Sequence, residues 1–288
     1  MTLQQPRNSA TADSLGKQIE RPAWGEARWT SIAAAIDLMR KDLASEHSLT
    51  NIARTHFYSN YHFLRIFRQA TGVPPAQFLA ALRMQRAKEL LSTTADSAAS
   101  VGAAVGYQSV GTFTTQFTRL TGISPGRFRD LARRATGLAV SDVLATLPTV
   151  HCPKLRLIAQ HAIDLTPMAH VVGFFSEAIP RGTPRGFALL DESLTTRVEN
   201  RGADGTYMVL AFAIPRSAPL IDLATGSSDL LIAGCHASLS MANPPIVLKF
   251  RSADLGDPPL LSAAPLIYLS NVIDALSSAT GVAQTTAP

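Results

Sequence analysis

The chain has 288 residues, of which 46% are hydrophobic and 16% charged, with two cysteines and a formal net charge of +5. That length holds two ordinary domains, two cysteines are too few for a disulfide framework, and no run approaches the ~18 apolar residues of a membrane span. The charge is divided: residues 1–138 hold 17 Lys+Arg against 9 Asp+Glu and the remainder 9 against 12, a net of +8 and of −3, so the first part suits a polyanion and the second does not.

Residues 1–28 are polar and lack the hydrophobic core of a secretory signal, which predicts a flexible segment. An all-α unit occupies 29–140. Ser48 caps a short helix, Leu49 to Thr55, and after a turn Ser59 caps a second, in which Phe63, Phe67 and Ala70 recur at i, i+4 and i+7 and bury together. Gly72 ends it, as glycine takes the left-handed conformation of a C-terminal cap without steric cost. The pattern returns 50 residues later without a gap: Phe57 answers Tyr107, Ser59 Ser109, Phe63 Phe113, Phe67 Phe117, Gly72 Gly122, Pro75 Pro125 and Phe78 Phe128. One helix-turn-helix is used twice, and two on one chain point to DNA.

The face opposite the phenylalanines is what a major groove would meet. In the first copy it carries Tyr61, Leu64, Arg65 and Arg68. Arg65 offers two parallel donors to a guanine edge, Leu64 and Tyr61 suit thymine methyls or sugars, and Arg68 suits phosphate. The second copy shows Gly111, Thr114, Thr115 and Thr118, flanked by Thr112 and Gln116. Threonine lacks bidentate reach, so this helix is expected to read sequence weakly. The candidate DNA contacts are Ser59, Asn60, Tyr61, Leu64, Arg65 and Arg68 in the first unit, and Ser109, Gly111, Thr112, Thr114, Thr115 and Gln116 in the second.

From about Ile36 to Arg134 the chain resembles the DNA-binding domain of AraC/XylS-type bacterial transcriptional regulators. The resemblance is carried by "FYSNYHFLRIFRQATGVPPAQF", by the joining helix "LRMQRAKELL", by Gly-Tyr-x-Ser at Gly106 to Ser109 and by Thr-Gly-x-Ser-Pro-x-x-Phe-Arg at Thr121 to Arg129. It covers about a third of the chain. It implies two units on one linker helix, each placing its second helix in the major groove on one side of a duplex. By matching position it carries base contact to Tyr61, Leu64 and Arg65, and to Gly111, Thr112 and Thr115. Gly111 and Thr115 stand where longer polar side chains are common in such proteins. Gly102 lies inside a helix, at a cost of ~1 kcal/mol relative to alanine. The family usually carries this domain at its C-terminus. Here it is N-terminal, so the second half of the chain is not expected to be the usual sugar-binding arm.

From Pro148 the texture changes to short apolar runs, "KLRLIAQ", "AHVVGFF", "GFALLD", "TYMVLAFAI", "DLLIAGC" and "PIVLKF", separated by turn residues. Six strands at this spacing predict an antiparallel β-sandwich or barrel over 148–288, the sandwich preferred, folding as an autonomous unit. "ADGTYMVLAFAIP" is similar to the strand entry of transthyretin-like and carboxypeptidase-regulatory-like β-sandwich domains. "PLIYLSNVIDALSS" reads as a strand or a short helix packed against it.

No catalytic constellation stands out. There is no Gly-x-Ser-x-Gly, phosphate loop or His-Glu-x-x-His, and Asp191, Glu192 and Glu199 fall in a loop-like stretch without an acid/base partner. Cys152 and Cys235 lack the Pro-Cys-His-Arg setting of a methyl-accepting repair cysteine. His151–Cys152 and Cys235–His236 are adjacent pairs whose side chains would diverge on a strand, against a zinc site. The expectation is a cytoplasmic, nucleoid-associated bacterial regulator, not an enzyme, with no cofactor or metal and no membrane partner. Its partner is double-stranded DNA; RNA polymerase, a small-molecule effector and a second copy of the chain stand as further partners. The β-domain is left open between effector sensing, oligomerisation or protein interaction, and a fused enzyme.

Overall fold

The computed structural model describes residues 26–44, 59–148, 157–161, 167–176, 181–191, 196–200, 205–226, 230–239 and 246–285. The helix expected at Leu49 to Thr55, the pair His151–Cys152 and most of the flexible segment 1–28 lie outside those residues; the last three residues of that segment open a helix.

The first part is helical: α1 (Glu26–Lys41), α2 (Asn60–Thr71), α3 (Pro75–Thr93), α4 (Ala98–Ala104), α5 (Val110–Thr121), α6 (Pro125–Ala135) and α7 (Val140–Thr146). The second part holds β1 (Leu157–His161), β2 (Met168–Phe175), β3 (Gly186–Leu190), β4 (Thr196–Asn200), β5 (Gly205–Pro215), α8 (Asp222–Thr225), β6 (Leu231–Leu239), β7 (Ile246–Ser252), α9 (Ala264–Tyr268) and α10 (Ser270–Thr285). The terminal segment left open between strand and helix is therefore helical. A strand that the apolar runs did not mark, β4, pairs with β3, so Glu199 lies opposite Ala188 in a ladder and not in a loop.

The described strands form one sheet in the order β1-β7-β6-β5-β2-β3-β4, not two separately bonded sheets. Its centre is antiparallel, with β5 bonded along its length to β2 and β6. Among the described residues β7 is paired in register with β6 only at Leu231–Ser252 and Ile232–Arg251, and it pairs in parallel with β1. β7 thereby turns Ile246, Leu248 and Phe250 into a core shared with Val172, Phe174, Val209 and Leu231. The His170 and Phe250 rings meet there edge to face at 5.3 Å.

The opposite sheet face has a different partner. Ala169, Val171, Phe187, Leu189, Phe212 and Ile214 belong to one continuous core with Phe113, Phe117, Phe128, Leu131 and Val143 of the helical part and Leu266, Leu269 and Ile273 of α9 and α10. A buried side chain of this size contributes roughly 1.5–3 kcal/mol, so this seam is a large share of the molecule's stability. The second helix-turn-helix and the sheet are packed as one body. The first unit keeps its own core, built from Ile32, Ile36, Met39, Phe63, Phe67 and Phe78.

Candidate nucleic-acid interface

Each recognition helix starts and stops as its sequence dictates. The Ser59 hydroxyl accepts the His62 N–H at 3.3 Å and opens α2; the Ser109 hydroxyl accepts the Thr112 N–H at 3.2 Å and opens α5. Both serines sit in extended backbone, as an N-cap requires. At the other ends Gly72 and Gly122 adopt φ of 78° and 93°, and their N–H groups bond to the Arg68 and Thr118 carbonyls. Thr71 Oγ1 lies 2.9 Å from the carbonyl oxygens of both Phe67 and Val73, and Thr121 Oγ1 repeats this with Phe117 and Ile123. The buried threonine of each Thr-Gly step is thus a hydroxyl latch on its helix end.

The buried stripes repeat in three dimensions. Phe63, Phe67 and Phe78 form a chain with ring separations of 5.9 and 5.6 Å, and Phe113, Phe117 and Phe128 one of 5.6 and 5.8 Å. In both, the second contact is edge to face, the favoured arrangement of aromatic quadrupoles. These chains pin α2 and α5 to α3 and α6 and leave their other faces outward.

Two glycines set close approaches, one within the second unit and one between the units. Gly102 is buried, and a Cβ there would stand 2.9 Å from the Phe113 ring, so the residue that weakens α4 lets it lie against α5. Gly106, first residue of the Gly-Tyr-x-Ser motif, has φ of 88° and lies so close to unit one that a Cβ would meet the Ala44 backbone at 2.7 Å. Linker helix α3 reaches both units. Arg83 donates to the Leu43 carbonyl at 2.7 Å and lies over the Tyr107 ring at 5.8 Å, while Arg129 of α6 donates to the Leu91 and Asp96 carbonyls near the other end of α3.

On the outward face of α2, Tyr61 is 80% and Leu64 38% exposed. Ser59, Asn60, Arg65 and Arg68 are also exposed, and His62 is half-buried. On α5, Ser109, Gly111, Thr112 and Thr115 are exposed, whereas Thr114 and Gln116 are half-buried. The Gln116 side-chain oxygen accepts from Arg119 at 2.7 and 3.1 Å, which turns it along the helix. The Ser109 hydroxyl also donates to Thr112 Oγ1 at 3.0 Å. Nothing lies within 4 Å of where a Gly111 side chain would begin.

One exposed residue escaped the sequence reading. Val110, the first residue of α5, is half exposed beside the threonines. The signal was present, because Val110 is 50 residues after Asn60 in the same register.

No group of metal-ligating side chains occurs among the described residues, and no described helix is long and apolar enough to cross a membrane. Cys235 is buried, and burial pushes its thiol up to about 11, against a thiolate near neutral pH.

Residues 52–131 match a family of helix-turn-helix domains. The chain is similar to the MmsAB operon regulatory protein of Pseudomonas aeruginosa, 32% identical over 99 residues covering 34% of this chain and 32% of that protein. It is similar also to the HTH-type transcriptional regulator YisR of Bacillus subtilis, 32% identical over 115 residues covering 40% and 37% of the two chains. The match thus spans about a third of the length of these relatives. Among solved structures, the DNA-binding domain of AdpA in complex with a target DNA is 29% identical, with 37% of this chain and 98% of that one covered and a TM-score of 0.35. The tandem unit of this chain is an AraC/XylS-type helix-turn-helix DNA-binding domain.

Proposed function

We propose that the protein is a sequence-specific, DNA-binding transcriptional regulator of the bacterial cytoplasm, with its DNA-reading unit over 29–140 and an effector-sensing unit over 148–288. The observation that carries this reading is the pair of serine-capped helices, each held from behind by the same chain of three phenylalanines, with their opposite faces exposed. Two such helices on one stiff linker enter successive major grooves from one side of the duplex. Base reading is assigned mainly to Tyr61, Leu64 and Arg65, and backbone contact and weak reading to Thr112, Thr115 and Val110. Effector sensing is preferred to oligomerisation because the apolar face of the sheet is covered by the chain's own helices rather than left for a second copy.

The test is a hydroxyl-radical footprint of the whole chain on a site selected from random duplexes. Two short protected patches ~10 bp apart on one face are expected. One patch would contradict two-groove docking, and failure of any site to be enriched would contradict sequence-specific reading.

A further inference from the structure

A cavity of about 930 Å³ lies between the sheet and the first helix-turn-helix unit. In its floor Gly173, Leu210 and Gly234 are register neighbours on β2, β5 and β6, so at this one register two of three adjacent strands carry no side chain. Phe175 leans over Gly173, where a Cβ would lie 2.6 Å from its ring, and half-buried Leu210 and Ile232 complete an apolar surface. The facing wall is the end of recognition helix α2, Ala70 to Val73, with Arg40 of α1 beside it.

The rim is charged unevenly. Asp257 is held by Arg251 through paired bonds of 2.8 and 2.9 Å. Arg40 and Lys249 are exposed on the same rim and have no ion pair among the described residues. Small-molecule sites are clefts of ~300–1,000 Å³ with an apolar lining and a few placed polar groups. Arg40, Lys249 and Arg251 face two rim carboxylates, Asp254 and Asp257, both beside Arg251, so the apolar floor lies under an edge with a positive excess that suits an amphipathic anion.

We propose that this cavity binds a small organic acid, its apolar body on the floor around Leu210 and its carboxylate against Arg40 and Lys249, and that occupancy sets the position of the first recognition helix relative to the second. The floor belongs to the body that contains unit two, while Arg40 and Ala70 to Val73 belong to unit one. A ligand touching both has different contacts in different arrangements of the units, which is what a shift between them requires. The coupling rests on the DNA-reading function proposed above; the binding does not.

The test uses the full chain and the fluorescent aromatic anion 8-anilinonaphthalene-1-sulfonate. One saturable site per chain is expected. Decanoate should displace the probe about ten-fold better than decanol, a difference of ~1.4 kcal/mol. The joint change Arg40→Ala and Lys249→Ala, both exposed, should erase that preference, and Leu210→Trp should block the site by filling it. Unsaturable probe binding, displacement by decanol as strong as by decanoate, or a preference that survives loss of both cations would overturn the site. The coupling is read separately, by repeating DNA titrations on sites with altered spacing between the two patches, with and without decanoate. Saturable binding with no change in preferred spacing would overturn the coupling while leaving the site. A saturable site in a chain that enriches no DNA would sink the DNA-reading function instead.

Discussion

The two helix-turn-helix units are near copies in local structure and opposites in tertiary attachment. Gly72, at the end of α2, would have nothing within 4 Å of an added Cβ. At Gly122, its counterpart on α5, an added Cβ would stand 2.9 Å from the Thr183 hydroxyl. Around it the Gly182 N–H donates to the Leu120 carbonyl at 2.7 Å, the Ala263 N–H to the Thr121 carbonyl at 2.8 Å, and Ser262 to the Gly182 carbonyl at 2.6 Å. The last carbonyls of a helix have no partner within it; here loops of the sheet domain supply them. The unit with arginine on its reading face is thus the one left across a cavity, and the threonine-bearing unit is the one anchored. On the proposed function, specificity and anchorage are divided between two copies of one motif.

The strongest way to break this comparison is to truncate the same ring in each unit. Phe67→Ala and Phe117→Ala remove equivalent buried rings, and each should cost ~3–5 kcal/mol. Phe67→Ala should loosen unit one while the sheet keeps its stability, whereas Phe117→Ala should lower the melting of helices and sheet together. Hydrogen exchange resolved by segment, beside thermal denaturation, checks this; equal spread of the damage would show that the units are anchored alike.

The seam also carries Lys88, fully buried on α3, whose ammonium nitrogen donates to the Ala224 carbonyl and, at 2.5 Å, to the Leu260 carbonyl. Burial lowers its pKa from 10.5 to about 7, with Glu89 opposing the shift. A neutral amine has two N–H groups for two carbonyls, and among the described residues a third proton has no hydrogen-bond acceptor there. The folded state therefore releases this proton near pH 7 and the unfolded chain near 10.5. Between those values the unfolded state binds more protons, so this group makes stability rise with pH by ~1.4 kcal/mol per pH unit, and contributes no slope below or above that window. Urea midpoints at pH 6, 8 and 9.5 should show the slope in the native chain and its loss in Lys88→Met.

Smaller effects are expected from the glycine and the caps. Gly102→Ala gains helix propensity yet drives a methyl into the Phe113 ring, and overpacking of that kind costs ~1–3 kcal/mol; a rise in melting temperature would show that α4 and α5 are not held at this spacing. Ser59→Ala and Ser109→Ala should each cost ~1 kcal/mol. The loss at Ser109 should appear in global unfolding and that at Ser59 in local opening of unit one.

Much of the helical part was legible because its signals are local. The capping serines, the phenylalanines at i and i+4 and the closing Thr-Gly act within one turn of helix, so spacing alone places them. β4 was missed because Thr196, Arg197, Glu199 and Asn200 give no apolar run, and an edge strand bonded on one side needs none. The parallel β1–β7 pair joins segments almost 90 residues apart, and no local pattern states such a partner. The seam was illegible for a related reason: Phe187, Leu189 and Phe212 announce burial, not what buries them. Of the candidate contacts, exposure of Tyr61, Leu64 and Arg65 is a consequence of helical period. The turning of Gln116 toward Arg119 depends on side-chain geometry that period does not contain.

The division of labour between the copies is tested most directly by titrating the whole chain against its selected site and every single-base variant of it, at fixed salt, for Arg65→Ala and Thr115→Ala. Arg65→Ala should flatten preference at one or two base pairs by ~1–3 kcal/mol, and Thr115→Ala should change it less. Equal losses from the two substitutions, or a preference untouched by Arg65→Ala, would contradict that division.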